Sequence, residues 1–125
     1  MSRKLDVAVA EVLGYKVVWV DEYLSEFMES TKRRVPVINY VSNNEYDYIP
    51  HYSTDGNAML LLDREMQARG WLVLVVNEDT FVSAEYIKIK RNKDTVKGIA
   101  EAQTEPLARA LAAYKALSGK EWQNA

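Results

Sequence analysis

No cysteine occurs anywhere in the 125 residues, so disulfides and thiolate metal sites are excluded, and the redox compartment leaves no mark on the chain. One histidine, His51, is the single side chain that ordinarily titrates near neutral pH. Glycine and proline are sparse, at five and three. The glycines are dispersed, and none follows a strand in the GxGxxG or GxxxxGKS spacing that cradles phosphates, which argues against nucleotide enzymes of the common folds. No apolar run approaches the ~20 residues of a membrane span, and Met1 to Asp6 is charged rather than signal-like, so a soluble, cytoplasmic protein is expected. Sixteen basic residues against eighteen acidic ones give a formal charge of −2. No global field therefore draws the chain to nucleic acid or anionic lipid, and neither nucleic acid nor membrane is an expected partner.

What is present is the composition of a folded domain: 48% hydrophobic and 27% charged residues over a length that suits one core. Residues 1–119 read as a single domain and 120–125 as a tail whose anchor is Trp122. Leu5, Val9, Val12 and Leu13 recur at helical spacing before Gly14, marking a first helix. Lys16 to Val20 reads as a strand. Over Glu22 to Ser30 the pairs Tyr23 with Phe27 and Leu24 with Met28 suit a helical turn as well as an extended stretch. Arg33 to Val41 reads as a strand that Pro36 would confine to an edge or bulge, followed by a turn at Ser42, Asn43 and Asn44. Glu45 to Tyr52, rich in tyrosine around Pro50, reads as a loop.

Ser53, Thr54 and Asp55 are all cap formers for a second helix ending at Gly70. Trp71 to Val76 is continuously apolar and is expected to be a strand covered on both faces, joined by a turn at Asn77 to Asp79 to a second strand over Thr80 to Lys90. There Phe81, Ser83, Glu85, Ile87 and Ile89 should face one way and Val82, Ala84, Tyr86, Lys88 and Lys90 the other. After a basic turn, Thr104 and Pro106 open a third helix with the stripe Leu107, Leu111, Tyr114 and Leu117, ending at Ser118 and Gly119. The expected class is α+β: an α/β/α sandwich with an antiparallel sheet covered by helices.

Three blocks, LDVAVAEVLGYKV at Leu5 to Val17, YSTDGNAMLLLDREMQARGW at Tyr52 to Trp71 and AEAQTEPLARALAAYKAL at Ala100 to Leu117, resemble the phage ABA sandwich domain family. The resemblance implies that same sandwich and a phage or prophage origin. It implies no activity, because the family has no shared reaction. Trp19 to Tyr48 is longer than in compact members, which makes it a place to look for a function particular to this chain.

Chemistry is thinly signposted. His51 lies near Ser53 and Asp55, but catalytic triads are assembled in space and rarely from such close neighbours in one chain. His51, Asp47 and Asp55 are too few for a metal site, and no cofactor is expected. Lys88, Lys90, Arg91, Lys93 and Lys97, with Lys32, Arg33 and Arg34 elsewhere, form either an anion or nucleic-acid patch or a solvated strand end and turn. Arg109 follows Glu105 by four residues, which suits an intrahelical ion pair as well as a ligand contact. Eight tyrosines and three tryptophans exceed what so small a core needs. Tyr46, Tyr48, His51 and Tyr52, with Asp55 beside them, could stack a nucleobase while Lys88, Arg91 or Arg109 meets its phosphates, or could instead pack a loop or a subunit contact. These eight are the candidate ligand-binding residues. The expected function is a phage-encoded, non-catalytic binding protein: a homo-oligomer that sequesters a nucleotide-derived immune signal. The alternative is an interaction module that docks on a host factor without a small ligand.

Overall fold

The computed structural model describes residues 3–23, 32–40, 45–92 and 94–123. Along the chain run α1 (Lys4–Val12), β1 (Val17–Tyr23), β2 (Lys32–Tyr40), β3 (Glu45–Tyr48), α2 (Gly56–Ala68), β4 (Leu72–Asn77), β5 (Val82–Ile89), β6 (Thr95–Ala102) and α3 (Glu105–Ser118). The strands form two antiparallel three-stranded sheets, ordered β1-β2-β3 and β4-β5-β6. The class is α+β, with helices packed against antiparallel sheet. No helix among the described residues is long and apolar enough to cross a membrane.

Helix boundaries follow local chemistry. Asp55 caps α2 by accepting the Asn57 N–H at 3.2 Å, and Gly70, with φ of 90°, turns the chain out of it. Gly119 does the same after α3 at φ of 73°. Trp122, beyond that turn, packs edge-on against Tyr114 with ring centroids 5.3 Å apart.

β5 alternates as its sequence requires. Val82, Ala84 and Tyr86 are buried on the helix side, while Ser83, Glu85 and Ile87 face outward. β4 departs from expectation. Its continuous apolar run is covered on one face only, and Leu72, Leu74 and Val76 lie open on the other. α3 also differs, because its buried residues are Ala108, Ala110, Ala112, Ala113 and Ala116, with the leucines half-buried at the flanks. The alanine face lets α3 approach β6 closely. A Cβ on Gly98 would stand 2.3 Å from the Ala112 carbonyl oxygen and 2.4 Å from the Ala116 nitrogen. β6 itself falls where only a basic turn was expected, since T-V-K-G-I-A-E-A alternates too weakly to stand out.

In the other sheet, Glu45–Tyr48 is a strand rather than loop, and β2 is central rather than an edge. β3 pairs with β2 only from Val37 to Tyr40, so at Pro36 one side of β2 is already unpaired and the missing N–H is tolerated there. The Tyr23–Phe27 and Leu24–Met28 pairs and the Ser42 to Asn44 turn fall on residues outside those described. The core runs through Leu5, Val9, Ile38, Ile49, Tyr52, Leu62, Met66, Trp71 and Tyr86, drawing on every layer.

Candidate functional site

Because β3 stops at Tyr48, opposite Val37, β2 continues past it with no described strand on that side, and a groove of about 490 Å³ lies there. Val35 and Pro36 line it together with Trp19, Arg34, Tyr48, His51 and Arg3. Trp19 sits opposite Pro36 in the β1–β2 ladder and is 54% exposed, and Tyr48 is 68% exposed. Aromatic side chains this exposed are suited to contact with another molecule. Trp19 also borders a second hollow of about 280 Å³ with Arg3, Lys4 and Val7.

The two arginines differ in freedom. Arg3 donates to Asp6 at 2.7 Å, to the Ile49 carbonyl, and to the Pro50 carbonyl at 3.4 Å. Asp6 is buried, and its other oxygen accepts the Ser53 N–H at 2.9 Å, so this cluster staples α1 to the segment that carries His51. Arg3 is thus fixed and largely compensated. Arg34 is exposed and stands 3.9 Å from the Asp21 carboxylate, a surface pairing worth about 0–1 kcal/mol. An arriving anion could displace that pairing at little cost and take the planar guanidinium in two-point contact.

The structure brings together only part of the predicted set. Tyr48 and His51 line the groove. Tyr46 lies on the same strand opposite Asn39, and its ring is outside what is described. Tyr52 is 2% exposed and belongs to the core. Asp55 caps α2. Lys88 lies on the helix side of the other sheet, its ammonium 5.8 Å from the Trp71 ring centroid. Arg91 is in the exposed turn between β5 and β6. Arg109 is the most committed of all: it holds Asp63 at 3.0 Å and Glu105 at 2.6 Å with only 13% of its side chain exposed, and its Nε is buried without a hydrogen-bond partner among the described residues. Tyr86 donates to the same Asp63 at 3.2 Å. Burial, and then the neighbouring carboxylate, raise the Tyr86 pKa well above the usual tyrosine value. This cluster joins β5, α2 and α3 inside the protein.

Residue reasoning missed Arg3 and Trp19, and took Arg34 only as part of a basic patch with Lys32 and Arg33. Trp19 and Arg34 fall in the stretch singled out as longer than in compact members of the family it resembles, but nothing in their spacing shows that they line one groove with Tyr48. Nor do His51, Ser53 and Asp55 converge: Ser53 is buried beneath Asp6, while His51 is exposed on the groove. Among the described residues no group of three or more His, Cys, Asp or Glu side chains could hold a metal ion. No family model, curated protein or solved structure matches the chain, so the phage ABA sandwich resemblance rests on its three sequence blocks.

Proposed function

We propose that this chain is a phage-encoded binding protein, without catalysis of its own, that takes a nucleotide-derived ligand in the groove beside β2. The observation that carries the reading is the grouping of exposed Trp19 and Tyr48 with weakly paired Arg34 around about 490 Å³ of open space. Aromatic faces stack bases of any identity, and a guanidinium meets phosphate oxygens, so ring and charge are both provided for. The volume falls within the range of small-molecule sites. A protein that holds such a ligand without transforming it would serve to sequester a nucleotide immune signal, by analogy with phage sponges of other folds.

Isothermal titration against cyclic oligonucleotides and ADP-ribose derivatives tests this. Binding by one of them, weakened about tenfold by Arg34→Gln and by Trp19→Ala, is the expected result. An absence of heat with all of them removes the reading.

A second reading, an interaction module that docks on a host factor without a small ligand, is favoured by the exposure of Trp19 and Tyr48, since open aromatic side chains also suit a protein contact. A stoichiometric host protein recovered with the tagged chain from infected cells, together with silent titrations, would select it.

A further inference from the structure

Among the described residues, no helix lies over the outer face of β4-β5-β6. Leu72 is 65% exposed, Leu74 54%, Ile89 63% and Ile99 44%, and they share one surface. Isolated exposed leucines are ordinary, but an apolar patch spread across three adjacent strands marks a contact surface. We infer that a second copy of this chain covers it, face to face, about a two-fold axis running across the strands through the row Leu74, Glu85 and Ile99. The inference is independent of what the groove binds.

The charge pattern selects this occupant. An isologous contact requires a surface complementary to itself, each residue meeting a counterpart that meets it in return. The ladder sets Leu72, Ile87 and Lys97 in the row on one side of the proposed axis and Val76, Ser83 and Glu101 in the row on the other. Reversal about the central row places Lys97 against the second copy's Glu101, and Glu101 against its Lys97. Leu72 meets Val76, while Leu74 and Ile99 each meet themselves. The two Glu85 carboxylates also approach, but each has its own Lys97 ammonium 3.9 Å away and is only 19% exposed. A surface built for an unrelated partner has no reason to carry opposite charges at positions that this rotation exchanges.

Strand spacing and rise give the face roughly 350 Å² in projection, against about 800 Å² per partner in a standard stable interface. The dimer therefore dissociates on dilution rather than being permanent.

Sedimentation velocity of the full chain from micromolar to millimolar concentration reads this directly. The expected result is a monomer–dimer equilibrium whose dissociation constant rises about tenfold or more in Leu74→Lys and in Glu101→Lys. Both positions are exposed, so the fold tolerates the changes, which circular dichroism verifies. Lys97→Glu alone should also be monomeric, but mixed with Glu101→Lys it should form a heterodimer, because both opposed pairs then regain opposite charges. A monomer at every concentration overturns the proposal. So does a dimer indifferent to Leu74→Lys, which would lie on another surface, and so does a mixture of the two charge variants that fails to associate.

Discussion

At the scale of single residues, Gly98 is set by its neighbour rather than by its own backbone. The Ala112 carbonyl and the Ala116 backbone leave no room for a methyl group, and backbone atoms cannot rotate aside as a side chain would. Gly98→Ala should therefore lift α3 from β6 and destabilise the protein by about 1–3 kcal/mol, read as a lower urea midpoint. Tyr86 gives a prediction in pH. Its folded-state pKa is raised while the unfolded chain keeps an ordinary value near 10, so the unfolded state alone loses the proton first. The stabilisation is fully present below pH ~10 and is lost as pH rises from there towards the folded value. Tyr86→Phe lacks that loss. Chemical denaturation should show the parent ahead of the variant at pH 8 and the gap narrowing as pH rises past ~10.

At the scale of elements, two buried polar clusters hold the layers in register. Asp6 joins α1 to the segment after β3 through the Ser53 N–H and Arg3. Asp6→Ala would leave that amide unsatisfied in the interior, and a loss of about 1–3 kcal/mol is expected in denaturant titration. Arg109 links α3 to α2 by meeting Asp63 and Glu105 at once. Lysine presents a single ammonium in place of a planar fork, so Arg109→Lys should recover only part of the stability that Arg109→Met loses, compared by thermal melts. Because Arg109 lies away from the groove beside β2, neither change should alter ligand binding by the folded protein. The sequence places Arg109 four residues after Glu105 and so exposes that pair. It does not expose Asp63, on another helix, which turns a helix-surface contact into an interior one.

At the scale of the whole molecule, the apolar outer face should couple stability to concentration. A dimer that forms only between folded chains raises the melting temperature by mass action. The parent's melting temperature should climb with protein concentration in calorimetry, while that of Leu74→Lys stays constant. The groove and this face belong to different sheets, so Arg34→Gln should leave the concentration dependence unchanged. Loss of ligand binding and loss of self-association are thus separable by single substitutions.

The order of residues alone shows the three helices and their stops, the Asp55 cap, the alternation of β5 and the α+β class, while Thr104 opens α3 without a side-chain cap bond. Those features follow from short-range rules, in which a cap reaches two residues and a strand repeats every second one. Packing between distant segments was needed to reveal β6, to bring the alanines rather than the leucines of α3 closest to the sheet, and to make Tyr52 core while Tyr48 stays open. It also decided the site, which needs β3 to end where β2 continues, bringing Trp19, Arg34 and His51 to one notch. Periodicity reports that a strand has apolar residues, but not whether anything lies over them. Coverage is a property of packing between distant segments, and the open faces of β4-β5-β6 and of the groove arise at that level.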